Sequence, residues 1–168
     1  MTPDAHLRDE FAALVERHRK ILFKVANTYC WSADDRADLA QDITAQLWRA
    51  YPSYDRARPF ATWMYRIALN VAISWVRGHG QRQRVTVPLD LDVHDISATP
   101  DPAGDQRVRA LYDVIHALDP LSRALLLLYL DEHSYKDIAG ILGITETNVA
   151  TKIHRLKQRI RHQIGHLA

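Results

Sequence analysis

The sequence predicts an all-α protein: two small helical domains joined by a flexible linker. Three observations lead there. Apolar residues recur at three- and four-residue spacings through most of the 168 residues, and only residues 85–87 read as a short strand. Residues 81–104, rich in Asp, Pro, Thr, Val and Gly, sustain no helical period, which marks a linker of roughly 20–25 residues and a domain boundary. Beyond it, residues 134–145 read as a short helix, a glycine turn and the cap of a longer helix. The domains are therefore expected at 1–80 and 105–168.

The first helix is expected over 7–29, with Phe11, Leu14, Val15, His18, Leu22 and Val25 on one face. The second starts at Ser32, an N-cap followed by Asp34 and Asp35, which suit the positive end of the helix dipole. Its stripe is Leu39, Ile43 and Leu47 with Trp48 alongside, and Pro52 ends it. Pro59 fits an early helical position, so a third helix is expected over 59–77. Phe60, Trp63, Ile67, Val71 and Trp75 form its core face, and Gly78 and Gly80 stop it.

In the second domain a helix over 105–118 is stopped by Asp119 and Pro120. Residues 121–130 are nearly all apolar and suit a helix buried on most sides. A short helix over 135–142, a turn at Gly143 and a long helix over 146–164 with Thr145 as N-cap complete the chain.

Composition excludes several classes. The longest apolar run, 124–128, is far short of the roughly 20 residues that a membrane span needs. The charged N-terminal segment lacks the apolar centre of a signal peptide. A single Cys30 rules out an intrachain disulfide and any cysteine-cluster metal site, and it reads as a packed small residue. His162 and His166 share a helix face at ligand spacing, yet no Glu accompanies them, so they read as solvated surface. Neither a glycine-rich phosphate loop nor a G-x-S-x-G elbow occurs. A soluble cytoplasmic protein is expected, with no catalytic residues, cofactor, metal or membrane insertion.

The net charge of +2 hides a pattern. Residues 1–60 balance nine basic against nine acidic side chains, 61–84 carry four basic and no acidic, 85–120 two basic and seven acidic, and 121–168 seven basic and four acidic. Two basic blocks flank an acidic stretch. In the C-terminal block, Ile138, Ala139, Leu142, Ile144, Val149, Ile153 and Leu156 would fix the angle of a helix-turn-helix. The opposite face offers Thr147, Ala150, Thr151, His154, Arg155, Gln158 and Arg161 to a major groove. Across residues 54–66, Tyr54, Phe60, Trp63 and Tyr65 interleave with arginines, a composition that suits stacking on unpaired bases. Phe60 and Trp63 read as core, and Tyr54 and Asn70 as candidates for contact.

Three motifs in this order carry a resemblance: residues 38–42 followed by Leu47 and Trp48, residues 58–70, and the helix-turn-helix. The chain resembles the extracytoplasmic-function (ECF) sigma factors of bacterial RNA polymerase over about 10–80 and 105–162. The resemblance implies a region 2-like helical bundle and a region 4-like helix-turn-helix. It implies that Asp38, Gln41, Asp42 and Trp48 meet the polymerase β′ clamp, with the β flap as a further contact. It implies −10 element contacts through Tyr54, Arg56, Arg58, Trp63, Arg66 and Asn70, the loop before the third helix capturing a flipped base. The −35 element would fall to Thr147, Asn148, Thr151, Lys152, Arg155 and Arg159. Core RNA polymerase, promoter DNA and an anti-sigma factor are the implied partners. Asn148 and Ala150 replace a usual Thr and a usual basic residue, and Ser74 an often acidic one, so no promoter sequence transfers. Two other readings stay open: a free-standing helix-turn-helix regulator, and a sigma-like decoy that sequesters an anti-sigma factor.

Overall fold

The computed structural model describes residues 2–79 and 102–165. Among them the helices are α1 (Pro3–Arg17), α2 (Arg19–Tyr29), α3 (Ala33–Ala50), α4 (Phe60–His79), α5 (Pro102–Ala117), α6 (Pro120–Leu130), α7 (Tyr135–Leu142) and α8 (Glu146–Gly165), with one 3-10 turn at Tyr51–Ser53. No strand occurs among the described residues. The short strand expected at 85–87, and most of the expected linker, lie outside them.

The first domain is built on α2, α3 and α4, which pack pairwise. Ser32 caps α3 as its side chain accepts from the Asp35 amide at 3.1 Å, and Leu39, Ile43 and Leu47 are fully buried. The expected first helix is two helices. At His18 the backbone leaves helical values (φ −109°, ψ 19°), its Nδ1–H donates to the Leu14 carbonyl at 3.0 Å, and the ring packs 5.1 Å from Phe60. A side chain that satisfies its own helix end allows the chain to turn without Pro or Gly.

The face of α4 differs from expectation in part, since Phe60 and Trp75 are buried as expected but the residues between them are not. Met64, Tyr65, Ala68, Leu69 and Ala72 are its most buried residues, whereas Trp63, Ile67 and Val71 are only partly covered. α4 touches α2, α3, α6 and α7, so its covered arc exceeds a single stripe, and the alanines bring neighbouring backbones close. α4 runs through Gly78 to His79, and Gly80, the other expected stop, lies outside the described residues. A helical Gly costs only about 1 kcal/mol, which the anchored turns before it offset.

The second domain starts at Pro102, three residues before its expected boundary, with proline in the first turn. Asp119 caps α6 through the Ser122 amide (3.2 Å) and hydroxyl (2.6 Å). Burial alone would raise its carboxyl, but these bonds hold it below the usual range. α7 and α8 match expectation. Ser134 accepts from Asp137 at 3.1 Å, Thr145 from Asn148 at 3.1 Å, and Gly143 takes φ +69°, where a Cβ would be strained.

The domains are joined by packing as well as by chain. α2 lies against α5 and α6, and α4 against α6 and α7, within one continuous buried cluster. Trp31 stacks on His116 at 3.7 Å, the Tyr29 hydroxyl donates to the Pro120 carbonyl at 2.7 Å, and Arg123 lies over the Tyr29 ring.

Burial, with Arg123 adding to it, lowers His116 from 6.5 to about 4, against a backbone hydrogen bond to Asn27. Folded His116 therefore stays neutral while the unfolded chain takes up a proton as pH falls through 6.5. The stability it contributes is complete above pH 6.5 and lost towards pH 4, on the order of 2–3 kcal/mol. Thermal melts at pH 7.5 and 4.5 should show that loss, and His116→Phe should flatten the dependence. An equal slope in the variant would assign it to other groups.

Candidate nucleic-acid interface

What α8 buries decides what it shows. Val149, Ile153 and Leu156 turn inward against α6 and α7, where Ile138 is fully buried. The other side then presents Thr147, Asn148, Thr151, Arg155 and Arg159, all exposed, with Lys152 partly covered. Small polar side chains occupy the first turns and cations the later ones, and residues 147–165 include no acid. Such a face offers donors to base edges first and charge to phosphates behind. Lys157 is engaged elsewhere, its Nζ 4.4 Å from the Tyr129 ring centroid.

In the first domain the loop before α4 is tightly organised. Asp55 closes a turn by accepting from the Ala57 amide at 3.0 Å, and the Arg58 amide donates to the Asp55 carbonyl at 3.0 Å. The Tyr54 hydroxyl donates to the Arg58 carbonyl at 2.6 Å. Its ring sits 4.9 Å from Trp63, 5.5 Å from Phe60 and 6.1 Å from Tyr51. Tyr54 is thus partly buried in an aromatic cluster whose rings hold one another. Arg66 and Asn70 are exposed one turn apart on α4. Arg56 and Arg58 are not independent cations: Arg56 pairs with Glu10, Nη2 to Oε2 at 3.0 Å, and the Arg58 Nε lies 3.8 Å from Asp55.

With Leu39, Ile43 and Leu47 inward, α3 displays Asp38, Gln41, Asp42 and Trp48. Gln41 and Trp48 line an open apolar groove with Phe11 and Thr44. Asp42 instead lines a second groove with Gln46, and there it shares the wall with Asn70 of α4. One helix therefore feeds two surfaces. Phe11, expected only on the apolar face of the first helix, and Glu10, not expected at all, adjoin these candidate surfaces. The Phe11 ring is 5.1 Å from both Trp48 and Tyr51, and its place in the helical stripe was the available signal.

Cys30 is buried, and burial first, then Asp35, pushes its thiol up to about 12, as suits a packed residue rather than a nucleophile.

Comparison with known proteins follows this division. The family described as Sigma-70 region 2 matches residues 14–82, and Sigma-70, region 4 matches residues 108–160. The ECF RNA polymerase sigma-E factor of Haemophilus influenzae is 28% identical over 165 residues, covering 92% of this chain and 87% of that protein. In fold, the chain is similar to CnrH, solved in complex with the cytosolic domain of CnrY (TM-score 0.68, 22% identity, 96% of this chain and 91% of that one). It is also similar to the sigma factor RpoE solved with the anti-sigma factor NepR from Bartonella quintana (TM-score 0.68, 18% identity, 94% and 96%). Two region matches, in order and on the two domains that bear the candidate surfaces, beside a relative matched over most of both chains, show that this protein belongs to the ECF sigma factors of the sigma-70 family.

Proposed function

We propose that the chain binds core RNA polymerase through α3, reads a −10 element through the Tyr54 loop and α4, and reads a −35 element through α8. The observation that carries this reading is that α3 and α8 each expose their set opposite a face locked into a core, while Arg66 and Asn70 are exposed on α4 beside the partly buried Tyr54 and Trp63. The roles divide by residue. Asp38, Gln41, Asp42 and Trp48 serve the clamp contact. Tyr54, Trp63, Arg66 and Asn70 serve the melted strand, with Arg56 and Arg58 drawn from their acidic partners when phosphates arrive. Thr147, Asn148, Thr151, Lys152, Arg155 and Arg159 serve the duplex. The chain does no chemistry itself, works in the cytoplasm, and is held inactive by an anti-sigma factor, as the similarity to sigma factors solved with bound partners supports.

Energetics explain why polymerase is required. Opening each base-pair step costs on the order of 1–2 kcal/mol of stacking. A captured base returns about 1–3 kcal/mol. The few cations of α8 neutralise few phosphates, so duplex binding alone is weak and salt-sensitive. Attachment to the polymerase raises the effective concentration of each reading surface at the other's site.

Run-off transcription with core enzyme and genomic promoter fragments tests the reading, and no stimulation at any promoter would overturn it. The Asp38→Ala/Asp42→Ala double variant should raise the concentration for half-maximal initiation by about 3- to 10-fold, as expected for charges at an interface rim. Unchanged half-saturation would remove α3 from the polymerase contact.

A further inference from the structure

Of the two arginines in the loop before α4, one is held by a residue from outside the loop. Arg58 reaches only its local neighbour, Nε to Asp55 Oδ2 at 3.8 Å, with 76% and 62% of the two side chains in solvent. Arg56 is gripped by both oxygens of Glu10 on α1, Nη1 to Oε1 at 2.5 Å and Nη2 to Oε2 at 3.0 Å. A guanidinium takes a phosphate through the same pair of parallel bonds. Glu10 therefore occupies the donors that a DNA strand would use.

The pair can exchange partners without rearranging the fold. Arg56 keeps 65% of its side chain in solvent, so an incoming phosphate meets it directly. The Tyr51 hydroxyl is buried with no hydrogen bond among the described residues. Burial first, and then the Glu10 carboxyl beside it, raise that hydroxyl above its ordinary value. Once Arg56 leaves, Glu10 has water and this hydroxyl to replace it, so neither group is left an orphan. α1 keeps its place meanwhile, because its grip is apolar. Phe11, its only buried residue, packs 5.1 Å from both Trp48 and Tyr51, and Leu7, Leu14 and Val15 lie against the same core.

Exchange changes what Arg56 adds to DNA binding. A free cation that neutralises a phosphate releases a counterion from the strand. A cation drawn from a carboxylate leaves an anion behind that gathers a counterion back, so the swap gains little and is nearly insensitive to salt. We infer that Glu10 is an internal competitor for Arg56: it withholds the guanidinium from phosphate, weakens the chain's hold on single-stranded DNA and removes one charge contact from its salt dependence. The place of this loop at the −10 element rests on the sigma-factor reading; the competition for phosphate does not.

Two probes test it, each titrated across a salt series. One is a dye-labelled promoter fragment mismatched over the −10 element, bound by core enzyme carrying the full chain. The other is a single-stranded thymidine oligonucleotide, bound by the full chain alone. Glu10→Gln should bind both about 2- to 5-fold tighter at about 50 mM salt, the effect of freeing one exposed ion pair, with a logarithmic salt slope steeper by about 0.7. Glu10→Gln/Arg56→Gln should return affinity and slope to those of the unmodified chain. Asp9→Asn, which removes the same charge from the exposed neighbouring position, should change neither. An equal gain in Asp9→Asn, or a gain that survives in the double variant, overturns the competition in favour of a general field. Weaker binding by Glu10→Gln at an unchanged slope overturns it in favour of a carboxylate that only holds the loop in shape, and unchanged binding overturns it outright. Tyr54→Ala holoenzyme that binds the mismatched fragment as tightly as the unmodified one refutes the −10 reading, while the thymidine oligonucleotide still decides the competition.

Discussion

Arg155→Ala should cut promoter-specific initiation by about 5- to 100-fold while leaving the fold intact, the consequence of losing one bidentate contact to a base edge. Arg155 is exposed on α8, between Ile153 and Leu156, which are both buried. Its backbone position is therefore set by the core, and truncation removes only the reading group. Helix propensity favours Ala slightly, so thermal stability should move by no more than about 0.5 kcal/mol. Arg159, one turn further on, provides the contrast. If it contacts phosphate, Arg159→Ala weakens every promoter alike and reduces the salt slope by about 0.9. Initiation from several promoters, each across a salt series, separates the two. Loss at Arg155 should differ among promoters, whereas loss at Arg159 should not. A uniform loss for Arg155→Ala would move it from base reading to phosphate contact.

The helix-turn-helix was legible because every local signal agrees with the fold: Ser134 and Thr145 cap, Gly143 supplies the left-handed turn, and the buried residues recur at helical spacing. The inward stripe of α3 was legible for the same reason. α4 was not. Its apolar residues occur nearly all round, so periodicity alone could not choose between Trp63, Ile67 and Val71 and the buried set of Met64, Ala68 and Ala72. The choice came from neighbours on several sides. Polar partners far apart in sequence were equally hidden. Arg56 meets Glu10 across 46 positions and Lys24 meets Asp131 across 107, distances at which composition carries no signal. Thus the loop arginines read as free cations, and the domains as independent, until packing was known. Of the C-terminal charge block, Arg155, Arg159 and Arg161 of α8 face outward, while Arg56 and Arg58, in the charge-balanced first 60 residues, have acidic partners.

Tyr54→Ala should reduce promoter opening by about 5- to 100-fold, the loss of a ring that stacks on an unpaired base. Tyr54 suits this task because its ring is already immobilised by Trp63, Phe60 and Tyr51 and by its hydroxyl on Arg58. A base arriving on a fixed platform loses less entropy than one that must order its acceptor. Tyr54→Phe keeps the platform and gives up one hydrogen bond worth about 1 kcal/mol, so it should stay within about 5-fold of the unmodified chain. Permanganate reactivity of −10 thymines, with core enzyme present, reads the opening step directly. A template mismatched across the −10 element then separates capture from melting. If Tyr54 captures the flipped base, the mismatch restores only part of the deficit of Tyr54→Ala, since the exposed base still lacks its platform. Full restoration would mean the ring acts in melting alone, and wild-type opening by Tyr54→Ala would remove this loop from strand recognition altogether.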